Sequence, residues 1–86
     1  MQFEGAVIKE QGITFAVVVV KAAVLNNAQR AKEALRGFGP VFPGLPVVLM
    51  AQDGRGRPTY YGRNDLSRFL SRVPLSAIPW KRYSCN

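Results

Sequence analysis

The 86-residue chain has no histidine and a single cysteine. Without histidine it lacks the commonest general acid–base and the commonest metal ligand. Cys85 alone permits no internal disulfide and no thiolate metal cluster. With no histidine to activate it, a Cys–His catalytic pair is excluded too, and a free terminal thiol is the default. A short chain without disulfides fits a reducing compartment, so a cytoplasmic protein is expected. Long hydrophobic runs are also missing. The longest, Ala16–Val20 with Ile13 and Phe15 before it, is far below the roughly 20 residues of a membrane span. No membrane partner is expected, and no signal-peptide pattern opens the chain. Acidic residues are few: Glu4, Glu10, Glu33, Asp53 and Asp65. They are scattered, with no spacing that pairs them for acid–base work or for a metal. The reading is of a protein that is not an enzyme, with no catalytic residues, no metal and no cofactor, because no titratable groups converge.

What remains is basic and globular. Twelve Lys and Arg against five acids give a net charge of +7, and 48% of residues are hydrophobic. The length corresponds to one domain, residues 1–86, burying only roughly 60–65% of its unfolded surface. Residues 51–86 hold seven of the bases and two of the acids. Such a surface attracts nucleic acid, anionic membranes or acidic proteins.

The stretch 45–73, LPVVLMAQDGRGRPTYYGRNDLSRFLSRV, carries the clearest structural signals. Pro46–Ala51 is an apolar run ended by a turn, the mark of a buried strand. Asp53–Pro58 is a loop, Thr59–Tyr61 a short second strand, and Gly62 closes it. A helix starting at Asn64 follows, with Asp65 suited to the positive end of its dipole and Pro74 stopping it. Leu66, Phe69, Leu70 and Val73 share one face of that helix. They are expected to bury against Val47, Leu49 and the Val17–Val20 strand.

Upstream, Phe3–Lys9 and Ile13–Lys21 read as an antiparallel hairpin turning at Glu10-Gln11-Gly12. Four consecutive valines disfavour helix and suit a strand covered on both faces. Ala22–Leu25 is ambiguous. Asn26-Asn27 offers a helix cap, Ala28, Ala31, Leu35 and Phe38 form a stripe, and Gly37 is a natural stop. A strand, a helix and a buried strand make a βαβ crossover, so Pro46–Ala51 should lie parallel to Ile13–Val20. The expected fold is α/β (α+β): a small single domain, β-β-α-β-β-α. Its mixed four-stranded sheet has spatial order 1-2-3-4 and an irregular C-terminal tail. The helices lie on one face or one on each.

Leu45-Pro46 before a strand, then Asp53-Gly54, a short strand, Gly62 and an amphipathic helix resemble the second half of a thioredoxin-like domain. Phe15–Leu35 resembles that fold's first strand and helix. The resemblance implies a truncated thioredoxin-like fold as the alternative architecture. It covers about half the chain and implies no redox activity. Where the family carries Cys-x-x-Cys this chain reads Ala23-Val24-Leu25-Asn26-Asn27, and the family's intervening strand and helix are missing.

The candidate binding residues are Arg55, Arg57, Tyr60, Arg63, Arg68, Arg72, Lys81 and Arg82. Asp53-Gly54-Arg55-Gly56-Arg57 can cradle a phosphate through backbone N–H groups aided by two Arg, or its glycines can simply serve the turn. Gln52-Asp53 beside Arg55 can form a small polar site. Tyr60 and Tyr61 point to opposite faces of their strand, so one can pack in the core and the other stack a base near Arg57 and Arg63. Arg68 and Arg72 lie on the outer face of the last helix. Arg55, Arg57, Arg63, Arg68 and Arg72 are therefore expected on one continuous face. Trp80, Lys81, Arg82 and Tyr83 interleave aromatic and basic character, although a lone Trp also serves as a core plug. These features lead to a non-catalytic domain that binds an anionic partner, most plausibly nucleic acid. The competing reading is a protein-interaction or homodimerisation module, in which the edge strands of two copies can pair. A small enzyme acting on an anionic metabolite is a distant third.

Overall fold

The computed structural model describes residues 2–10 and 12–84; Cys85, with its expected free thiol, lies outside the described residues. Strands β1 (Gln2–Glu10), β2 (Ile13–Val19), β3 (Val47–Gln52), β4 (Pro58–Tyr61) and β5 (Lys81–Ser84) form one sheet in the order β4-β3-β2-β1-β5. Helices α1 (Ala22–Leu25) and α2 (Ala28–Phe38) join β2 to β3, and α3 (Asn64–Leu70) follows β4. Single 3-10 turns sit at Gly39–Val41 and Leu75–Ala77. β1 and β2 are antiparallel, β2 and β3 parallel, β3 and β4 antiparallel. The mixed α/β class and the 1-2-3-4 neighbour order are those expected from the sequence.

The sheet has five strands, not four, and the C-terminal tail is not irregular. Lys81–Ser84 pairs antiparallel with β1, with Phe3 opposite Tyr83 and Gly5 opposite Lys81. Three of its four residues are polar or charged, which hides a strand from hydrophobic pattern. The strand forms because β1 runs on past the hairpin and offers an otherwise unpaired edge. Stacking of Phe3 on Tyr83 adds to the pairing, with centroids 5.2 Å apart and planes at 9°.

The two larger helices cover opposite faces. Leu66 and Leu70 of α3 pack with Ala6, Phe15, Val17, Val48, Met50 and Ile78. Ala31 of α2 packs with Phe3, Ala16, Val18, Phe42 and Leu49 on the other side. The expected partners of α3 are therefore off by one residue: Val48 and Met50 face it, while Val47 and Leu49 face α2. A run that is apolar at every position gives no parity signal, so only the pairing register settles which residues face which helix.

Two local devices position these layers. Asn27 caps α2, its Oδ1 accepting hydrogen bonds from the N–H groups of Gln29 (2.9 Å) and Arg30 (3.1 Å). The helix continues through Gly37 to Phe38, whose ring lies edge-on to Phe3 at 5.0 Å. Gly5 is required by close approach: a Cβ there would stand 2.8 Å from the carbonyl oxygen of Val17. No helix among the described residues is long and apolar enough to cross a membrane.

Candidate nucleic-acid interface

The β3–β4 loop is built by Asp53. Asp53 N–H donates to Arg57 O (2.9 Å) and Gly56 N–H to Asp53 O (2.9 Å). Gly56 takes φ 80°, the left-handed step that ends a three-residue hairpin connection. The Asp53 carboxylate then collects the remaining donors. Oδ1 accepts from Arg55 N–H (2.8 Å) and Arg57 N–H (2.9 Å), and Oδ2 from Arg57 Nε (3.3 Å). Gln52 Nε2 donates to Gly56 O at 2.9 Å. The backbone bonds from Arg57 and Arg55 hold the Asp53 carboxyl below its ordinary pKa. The loop is thus not a backbone phosphate cradle: the N–H groups of Arg55, Gly56 and Arg57 are taken by Asp53. Both arginines are exposed, Arg57 with its guanidinium paired to Asp53.

Arg63 stands at the opposite end of β4. Its Nε and a terminal nitrogen grip Asp65 at 3.2 and 2.8 Å, an exposed bidentate pair. That side-chain bond is the main reason the Asp65 carboxyl is lowered. Because β4 separates them, Arg57 and Arg63 are about 20 Å of extended chain apart. Arg68 is on α3 and Arg72 just beyond it, both exposed. Lys81 and Arg82 occupy the far edge of the sheet, four strand spacings or about 19 Å from β4. Arg82 lies 3.8 Å from Glu4, and Lys81 Nζ sits 5.8 Å from the centre of the Tyr83 ring. Of the five arginines expected on one continuous face, Arg55 and Arg57 thus lie at one end of β4 and Arg63 at the other. The hairpin carries the loop to one end of the sheet and the start of α3 to the other.

Of the four aromatic candidates, Tyr60 and Trp80 pack on the α3-side core and Tyr61 and Tyr83 on the α2-side core. Tyr60 packs against the α3-side core with its hydroxyl buried, and burial raises its pKa. Trp80 packs on the same core and donates its indole N–H to Leu75 O at 3.0 Å. Among the described residues no group of three or more Cys, Asp or Glu converges as a metal site.

Sequence reasoning missed a cleft of about 150 Å³ where β2 and β3 end side by side. Ala22 and Leu25 of α1 and Ala51 of β3 supply apolar lining, and Asn26, Gln52 and Thr59 supply polar groups. Asp53 stands at its loop side. Lys21, exposed, directly precedes Ala22. The available signal was topological: in sheets with parallel strands, ligand crevices lie outside the strands' carboxyl ends. Of the residues named from sequence, Gln52 and Asp53 line this cleft, and among the basic candidates Arg55 and Arg57 lie within two residues of its lining residues Asp53 and Thr59.

No family model, no curated protein and no solved structure matches this chain. The thioredoxin-like resemblance accordingly rests on element order alone.

Proposed function

We propose that this domain is a non-catalytic module that binds nucleic acid electrostatically, in a cytoplasmic setting. One observation carries the reading. All twelve Lys and Arg side chains are exposed, and ion pairs among the described residues engage three of them, Arg57, Arg63 and Arg82. Those pairs are exposed themselves, so phosphate can compete for the arginines at little cost. Because the bases are spread over both ends and both edges of the sheet, the attraction is general in direction and weak in sequence preference.

An edge-paired homodimer is the weaker reading. Both edge strands are four residues long, one opening with Pro58 and the other with Lys81-Arg82. Short edges bearing proline and cations resist pairing with a second sheet.

The test is a fluorescence-anisotropy titration of DNA and RNA oligomers across salt concentrations. About four phosphate contacts give a log–log slope near −3 to −4 on duplex and a shallower one on single strands. Replacing Arg55 and Arg57 with Ala should flatten the duplex slope by up to about two units without changing far-UV circular dichroism. Absence of binding at about 50 mM salt overturns the reading.

A further inference from the structure

We propose that the cleft beside α1 seats one single-ring base of a single-stranded nucleic acid, with Lys21, Arg55 and Arg57 on the flanking phosphates. The inference rests on the electrostatic reading above and adds to it the form of nucleic acid bound and the place where a base enters.

Size, chemistry and charge agree. The cleft's volume is about 150 Å³, and an engineered protein cavity of about that volume holds one benzene ring. Leu25, Ala22 and Ala51 give a flat heterocycle an aliphatic surface, and Ala51 is nearly fully buried. Asn26 brings an amide, Thr59 a hydroxyl and Gln52 a carbonyl oxygen, its Nε2 being spent on Gly56 O. Together they offer donors and acceptors to the edge of a base, and among the described residues these side chains make no other hydrogen bond. Lys21, Arg55 and Arg57 are exposed and lie within two residues of the lining residues Ala22, Asp53 and Thr59, and the one acid of the lining, Asp53, already has its carboxylate turned to the Arg55 and Arg57 amides. In a duplex each base is stacked and paired, so a cleft with room for one ring admits only an unstacked base. The ring size further favours pyrimidines.

The experiment uses the full chain and three variants: Ala22→Leu, which fills the cleft without offering a flat ring, and Asn26→Ala and Thr59→Val, which remove its polar groups. Each is titrated with oligothymidylate, with thymidine monophosphate and with inorganic polyphosphate, after circular dichroism has confirmed the fold. Amide NMR shifts at Ala22, Asn26, Gln52 and Thr59 are followed in parallel. The expected result is about tenfold weaker oligothymidylate binding by Ala22→Leu, the size of one lost base contact. Polyphosphate binding should stay within about twofold, since no charge changes. The polar variants should weaken oligothymidylate by a smaller factor and leave polyphosphate alone. Oligothymidylate binding unaffected by Ala22→Leu, or cleft amides that do not shift, overturns the base site while leaving the electrostatic reading intact. Thymidine monophosphate binding as tightly as the oligomer also overturns it, because the flanking phosphates would then contribute nothing. If neither polyphosphate nor oligothymidylate binds the wild type, the electrostatic reading fails first and takes the cleft with it.

Discussion

On one face of the sheet aliphatic side chains pack around the Phe15–Phe69 ring pair; on the other, buried alanines are ringed by a cluster of four aromatics. Under α3, Val17, Val48, Met50, Leu66 and Leu70 interdigitate around Phe15, and Ile78 closes the far side. Under α2, fully buried Ala16 and Ala31 let helix and sheet approach. The rim there is a cluster of Phe3, Phe38, Phe42 and Tyr83. Its centroid separations run from 5.0 to 6.1 Å, in edge-on and stacked pairs. The difference follows from the helices. α3 has seven residues and no side-chain cap at its first turn, too short to hold itself in water. Its place depends on the volume it buries. α2 has eleven residues and a capping Asn27, so its face tolerates smaller contacts and gains from aromatic geometry.

The largest effect that would break this contrast is expected at Phe15. Its ring is fully buried on the α3 side, edge-on to Phe69 at 6.4 Å. Phe15→Ala should cost about 3–5 kcal/mol in urea denaturation, a large share of the roughly 4–13 kcal/mol open to a chain of this length. Phe69→Ala should cost less, because Phe69 is only half-buried. Equal losses at the two positions would mean that α3 is held by something other than buried volume.

Next in size is Gly5→Ala. The added methyl meets the Val17 carbonyl at 2.8 Å, and overpacking of this kind costs about 1–3 kcal/mol. Gly54→Ala, where nothing lies within 4 Å of the added methyl, serves as the control and should change the denaturation midpoint far less. Similar midpoints for both variants would show that β1 shifts freely under the aromatic rim.

Tyr83→Leu keeps an apolar side chain on β5 but removes the stacked and edge-on contacts to Phe3 and Phe42. The loss should be about 1 kcal/mol beyond area burial. β5 should then exchange its amide protons faster while β3 does not. Uniform acceleration through the sheet would sink the idea of a separable aromatic rim.

The smallest effect belongs to the exposed carboxylates. Asp53 and Asp65 both have lowered folded-state pKa values, so their contribution is present above the unfolded carboxylate pKa near 3.9. It is lost as pH falls through the lowered folded values. Asp53→Asn keeps the hydrogen-bond acceptor but removes the titration. The wild type should therefore lose slightly more thermal stability than Asp53→Asn between pH 5 and pH 2. A wider loss in the variant would reverse the sign of the argument.

Element order and type were legible in the sequence because local chemistry specifies them. Four valines in a row exclude an easy helix, Asn27 caps one, Asp53 with Gly56 makes a turn, and Pro74 lies beyond the end of α3. Charge was legible as a total for the same reason, since it is a property of composition. Three matters waited for the tertiary structure. Which parity of β3 faces α3 depends on register, and an apolar run such as Val47–Ala51 is silent on it. The strand at Lys81–Ser84 exists only because β1 leaves an edge for it. The placement of the arginines was decided by the β3–β4 hairpin. It separates Arg57 from Arg63 by the length of β4, and it brings Arg55 and Arg57 to the strand ends where α1 and β3 enclose a cleft. Neighbours in sequence are held together by covalent geometry, whereas neighbours across a sheet are chosen by pairing and burial.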